Sequence, residues 1–295
     1  MARMTPPLMT PPFTLANAAS GLTSLFRGPD GGDRHAVAKM TWDAVEARIK
    51  AGALALLPIG AGSKEHGLHL PMNADQLQAE FFAARIAEKV DALIWPTVAY
   101  GHYPAFVAYP GSNSLSLPVY ESLIAEIAAG ILASGARALI VIDTGISTIA
   151  PTERALASFK PSEVLHLRVH QGTRYREAAS KLAEQRHGSH ADELETSLML
   201  AIAPHVVAMA RAQASPSDRA VTVPGPLTRT DSASPNYSPS GSFGDPGLAT
   251  RVKGDILLAA MLDDIIGHAQ QFAARQSSTP AQSVEPRAGN GSAGS

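Results

Sequence analysis

The chain has 295 residues, 45% of them hydrophobic and 17% charged, with a formal net charge of −2. That is enough apolar material for a sizeable core, and near-neutral charge without a cluster of Lys and Arg argues against a nucleic-acid surface. The absence of cysteine excludes disulfides and thiolate metal sites and fits a cytoplasmic enzyme, while no apolar run approaches the roughly 20 residues of a membrane span.

Residues 1–37 are rich in Pro, Thr, Ser and Gly without a sustained period and read as a flexible N-terminal arm. Pro6, Pro7, Pro11 and Pro12 break the apolar stretch a secretory signal needs; a short signal ending near Ala16–Ala18 is the alternative. Thr41 caps a helix reaching Lys50, with Gly52 past its end. Ala53 to Ile59, short and apolar, ends in Gly60 and Gly62 and reads as a buried strand. The loop after it carries Lys64, Glu65, His66, His69 and Asp75. In an open α/β sheet, ligands bind outside the carboxyl end of such a strand. Two imidazoles and two carboxylates there can hold a divalent ion: zinc, or manganese or iron where oxygen donors predominate. Gly67 and Pro71 interrupt the spacing, so the loop itself has to aim the ligands. The structural alternative is that Glu65 pairs with Lys64 and that Asp75 caps the helix starting there.

Gln76 to Val90 has a helical period, and Ala92 to Ala99 reads as a second buried strand. A Gly/Pro-rich connection, Tyr100 to Leu117, leads to Pro118 at the first turn of a helix that ends before Gly135. Arg137 to Asp143 is a third strand and Glu163 to Val169 a fourth. Helices follow over Thr173 to Arg186 and Asp192 to Ile202. Ala214 to Asp245 is loop-rich, and Gly247 to Gln271 is a long helix with Val252, Ile256, Leu257, Ala260 and Leu262 facing inward. Residues 275–295 read as a flexible tail. Strands alternating with helices predict a single α/β domain over residues 38–274, a three-layer α/β/α arrangement with a mainly parallel central sheet.

The segment GSKEHGLHLPMNAD resembles the signature of the creatininase (creatinine amidohydrolase) family, E-x-H-G-P-H-L-P-x-x-x-D, through His66, Gly67, His69, Leu70, Pro71 and Asp75. Lys64 stands where the family has its first glutamate, and Glu65 stands one residue late. Gly101, Pro110, Gly111, Ser112, Ser114 and Leu115 resemble a second family loop, a Pro-Gly turn in which Ser112 and Ser114 are candidate hydrogen-bond donors. After the third strand the family has N-G-H-G-G-N; this chain has Asp143, Thr144, Gly145, Ile146, Ser147 and Thr148, without the ligand His. Asp143 or a water is one replacement, and a cradle of Thr144, Gly145 and Ser147 for an oxyanion is another. His190, Ala191, Glu195, Thr196 and Ser197 match the family's H-A-G-x-x-E-T-S motif. Ser238 to Gly254 resembles a further family segment and is expected to be structural support at a subunit contact.

The resemblance implies a metal-dependent hydrolase of a small amide, cyclic amides included. Glu65, His66 and Asp75 are then expected as ligands of a divalent ion (Zn, Mn or Fe). His190 is expected to carry the proton to the leaving nitrogen, oriented by Glu195, with His69 behind the ligands. It also implies a homo-oligomer, a hexamer. Two alternatives follow from the departures: a non-hydrolytic member that binds a small ligand or serves as a structural subunit, and a site using Lys64 as a base or Schiff-base amine.

Overall fold

The computed structural model describes residues 34–215 and 225–277. Most of the expected N-terminal arm, the Ala16–Ala18 signal alternative and all but three residues of the expected tail lie outside them.

After α1 (Trp42–Lys50), the chain alternates β1 (Leu54–Ile59), α2 (Ala74–Ala87), β2 (Ala92–Ile94), α3 (Leu117–Ala133), β3 (Leu139–Asp143), α4 (Ile149–Leu156) and β4 (Val164–Arg168). It then runs through α5 (Thr173–Leu182), α6 (Glu193–Ile202) and α7 (Arg251–Ser277). All the strand pairings are parallel, in the order β2-β1-β3-β4, as the expected α/β/α class requires. The apolar runs of β1 and β3 are fully buried because both sheet faces are covered. Leu54, Leu56, Ile140 and Ile142 pack into the layer built by α2, α6 and α7. Ala55, Leu57, Leu139 and Val141 point the other way, onto Tyr120, Ile124, Ala128 and Ile131 of α3 and Leu156 of α4. The period of two along each strand therefore feeds two separate cores.

Three expectations are corrected. The second strand stops at Ile94 rather than Ala99. Trp95 N–H donates to Leu56 O and Val98 N–H to Pro58 O, so alternate β1 residues face β2. Pro58 lies on that side and has no N–H to give, and Pro96 interrupts the partner, so only a single bridge, Ile59 to Val98, resumes the pairing. In α7, Val252 and Ile256 are exposed, and the inward stripe is Leu257, Leu258, Met261, Leu262 and Ile265. Lys253 and Gly254 begin that stripe; the ammonium of Lys253 is accommodated there by the Glu193 carboxylate at 2.5 Å. A short helix, α4, also stands where no helix span was expected.

Gly254 is where α7 crosses α6. A Cβ added there would fall inside van der Waals contact of the Ser197 carbonyl oxygen, which is backbone and cannot swing away. Gly254→Ala is expected to lower stability by about 1–3 kcal/mol through overpacking, read as a lower urea midpoint with an unchanged m-value.

Candidate metal and proton-transfer site

The polar residues gather at the carboxyl ends of β1 and β3, where the strands release the chain into loops. Gly60 lets the turn after β1 lie against the backbone of Asp75; any Cβ there would collide with the Asp75 carbonyl. Asp75 is in the first turn of α2, whose N-cap is Asn73. Its carboxylate does not cap the helix: Oδ2 takes the Lys64 ammonium at 2.6 Å and Oδ1 faces His66 Nε2 at 3.0 Å. Lys64 thus pairs with Asp75 and not with Glu65. Burial opposes the Lys64 ammonium, but Asp75, Glu195 and Glu65 together outweigh it and hold its pKa above the ordinary value. Burial likewise opposes the Asp75 carboxylate, and the same Lys64, with His66, overcomes it and depresses its pKa.

His66 carries a diagnostic arrangement. Its Nδ1 lies 2.9 Å from Lys64 O, a carbonyl that can only accept, so Nδ1 bears the hydrogen. In the neutral ring Nε2 is then a bare lone pair. It faces Asp75 Oδ1 at 3.0 Å and Glu195 Oε1 at 3.6 Å, two further acceptors. An unprotonated Nε2 with a carboxylate oxygen on each of two sides is an arrangement that a cation would complete. Donors bound at about 2.0–2.2 Å to a tetrahedral ion lie roughly 3.4 Å apart, so these separations suit a divalent metal. His66, His190 and Glu195 also offer ligand atoms within 4.8 Å of one another. Mixed imidazole and carboxylate donors suit zinc, manganese or iron.

Glu65 is turned away from this point. One of its oxygens accepts from Gly67 N–H and the other lies 3.1 Å from His190 Nε2, which also reaches Glu65 O at 2.9 Å. Both neighbours of His190 Nε2 are acceptors, so that nitrogen holds the hydrogen and Nδ1, 3.8 Å from Glu195 Oε2, keeps the lone pair. Burial disfavours the His190 imidazolium, yet the Glu65 carboxylate prevails and raises its pKa. For Glu65, burial pushes the carboxyl up, and His190 and Gly67 N–H bring it below its usual range. Glu195 is fixed by the Ala191 N–H at 2.7 Å, and Asp192, the N-cap of α6, accepts from the N–H groups of Leu194 and Glu195. The corner at His190 is tight: Ala191 has φ of 45°, a region that non-glycine residues rarely enter.

The loop after β3 takes no part in the convergence on His66. The Asp143 carboxylate is engaged by Gly145 N–H, Thr148 Oγ1 and His166. Thr144 Oγ1 is directed at the carbonyls of Ile59 and Asp75 and Gly145 N–H at Asp143, so two of the three donors of the expected oxyanion cradle are committed to holding the loop. Ser112 Oγ, expected as a donor, accepts from Glu65 N–H and clamps the ligand loop to the Pro-Gly turn, while Ser114 Oγ accepts from Tyr103 N–H and donates to Leu115 O within the connection itself. Two contributors were not legible in the sequence. Phe106 lies with its ring 4.4 Å from that of His190 and 5.0 Å from Lys64 Nζ, an apolar cover over both. Gly241, at φ 91°, gives Glu65 its space, so the Ser238 to Gly254 segment walls the site. Its only signal was a glycine set between serines.

Residues 38–268 match the family described as Creatininase, creatinine amidohydrolase. The creatinine amidohydrolase of Pseudomonas putida is 27% identical over 250 residues, 78% of this chain and 94% of that protein. A mycofactocin precursor peptide peptidase of Mycobacterium ulcerans (strain Agy99) is 27% identical over 221 residues, 72% of this chain and 82% of the relative. Among solved structures, one described as creatininase Mn superposes with a TM-score of 0.69 at 24% identity, covering 80% of this chain and 97% of that one.

His69 lies behind these groups, its Nε2 2.7 Å from Thr196 Oγ1. Burial lowers its pKa from 6.5 to about 4. The folded state therefore refuses a proton that the unfolded chain accepts, so this contribution to stability is complete above pH 6.5 and is lost as pH falls through about 4. The melting temperature is expected to fall across that window, and less steeply in a His69→Gln variant; equal slopes in the two proteins would refute the assignment.

Proposed function

The chain belongs to the creatininase family, and from that premise we propose that it is a metal-dependent hydrolase of a small amide. The observation that carries the reading is that His66 Nε2 faces carboxylate oxygens on two sides, Asp75 Oδ1 at 3.0 Å and Glu195 Oε1 at 3.6 Å, within a group of His66, His190 and Glu195 spaced to hold an ion. His66 and Glu195, with Asp75 beside them, would hold a divalent ion, whose contribution when bound would be to acidify a water and polarise the amide carbonyl. Glu65, expected among the ligands, is better used as the orienting partner of His190.

His190 is the proton carrier in this reading. Its Nδ1 lone pair takes a proton from water and returns it to the departing nitrogen. Glu65 keeps the hydrogen on Nε2 and stabilises the imidazolium that forms, the division of labour seen wherever a carboxylate backs a catalytic imidazole. Lys64 compensates Asp75, and Phe106 keeps bulk water off the imidazole. The reactive-amine alternative for Lys64 loses support, because an ammonium paired at 2.6 Å and pushed to a higher pKa is a poor nucleophile. The two relatives act on different amides by name, so creatinine, other small cyclic amides and short peptides all belong in the substrate panel. The exposed Trp42, Val252 and Ile256 support the expected homo-oligomer, and the cysteine-free chain supports a cytoplasmic setting.

Chelation is expected to abolish hydrolysis across this panel, and Mn²⁺ or Zn²⁺ to restore it; full activity in metal-free protein would sink the reading. Asp75→Asn should weaken metal binding by more than roughly tenfold. His190→Ala should keep the metal and lower kcat by about 10²–10⁴-fold. Loss of metal from that variant would make His190 a ligand instead. Because Glu65 raises the His190 pKa, Glu65→Gln should move the acid limb of kcat/KM to lower pH; an unmoved limb would remove Glu65 from the mechanism.

A further inference from the structure

We infer that Lys64 is a built-in cation that fills one of two cation positions on Asp75 and so limits the site to a single divalent ion per chain. The inference rests on the metal-dependent reading above. Asp75 has two carboxylate oxygens, and the fold aims them at different partners. Oδ1 faces His66 Nε2 at 3.0 Å, whereas Oδ2 is taken by Lys64 Nζ at 2.6 Å. Lys64 cannot easily leave: its side chain is buried, and the Phe106 ring lies 5.0 Å from its ammonium.

The cavity on the Oδ2 side, as the described residues line it, offers a second ion little beyond Asp75 itself. Lys64 and Asp75 line a cavity of about 10 Å³, room for about one water, whose wall includes Tyr103, Gly145, Ser147 and Thr148. Asp75 supplies the one carboxylate in that wall, and no imidazole lines it. Asp143, the acid of the loop after β3, is engaged by Gly145, Thr148 and His166. Charge leads to the same count. Asp75, Glu65 and Glu195 against Lys64 leave at most two negative charges, which one divalent ion cancels. A second ion would leave the buried cluster strongly positive, with no partner to compensate it. Lys64 is accordingly a positioning residue: it neutralises Oδ2 and holds Oδ1 on the metal side.

The test is metal stoichiometry. Full-length protein, stripped with a chelator, is dialysed to equilibrium against Mn²⁺, and ions per chain are measured by atomic emission alongside the electron paramagnetic resonance spectrum. One uncoupled Mn²⁺ per chain is expected. Two ions with a spin-coupled spectrum would overturn the inference and leave the metal-dependent reading intact, whereas no bound ion would sink that reading and the inference with it. Lys64→Glu is expected to take up a second, coupled ion, and Lys64→Arg to stay at one. Lys64→Asp serves in place of Lys64→Glu if circular dichroism shows the latter unfolded, with the same gain expected. A folded acidic variant that still binds one ion would overturn the role given to Lys64.

Discussion

Three carboxylates around His66 and His190, those of Asp75 and Glu65 buried and that of Glu195 half-buried, are the constraint on which the rest of this structure depends. Asp75, Glu65 and Glu195 cannot stay ionised in a protein interior unless each is matched by a cation or a fixed donor. The fold supplies a different solution for each. Asp75 has an ammonium, Glu65 has an imidazole and a backbone N–H, and Glu195 has a backbone N–H and the open side of the cluster. The differing environments separate groups of one chemical type into different tasks, which is how a few side chains can perform both binding and proton transfer.

Precision here comes from backbone and packing more than from the reactive residues. Gly60 and Gly241 allow main chain to approach Asp75 and Glu65 where any side chain would collide. The Ser112 hydroxyl of the Pro-Gly turn fastens the ligand loop, and the loop after β3 braces Asp75 through Thr144 Oγ1. Such supports hold a site to the tolerance chemistry demands.

Much of the architecture was legible because its physics is local. The apolar runs of β1 and β3, the glycines after them and the periodicity of the helices mark the parallel layers without reference to distant residues. The length of β2 was not, because its end is decided by Pro58 on the neighbouring strand. The face of α7 was misjudged at Val252 and Ile256, since Lys253 and Gly254 look unsuited to an interior until Glu193 and Ser197 are seen beside them. In the candidate site, the residue types at 64–75 and 190–195 announced themselves by spacing and by family resemblance. Their division of labour did not. Which oxygen of Asp75 meets Lys64, and that Glu65 turns to His190, follow from loop geometry that no period encodes.

The bond between His190 and Glu65 joins positions 125 apart in the chain. Closing so long a segment is entropically costly and comes after local structure has formed. A nascent polypeptide still held at the ribosome, with β1 and α2 emerged, owns Asp75 and His66 but not Glu195. In the proposed metal-dependent reading the donor set is therefore incomplete until synthesis has passed the start of α6.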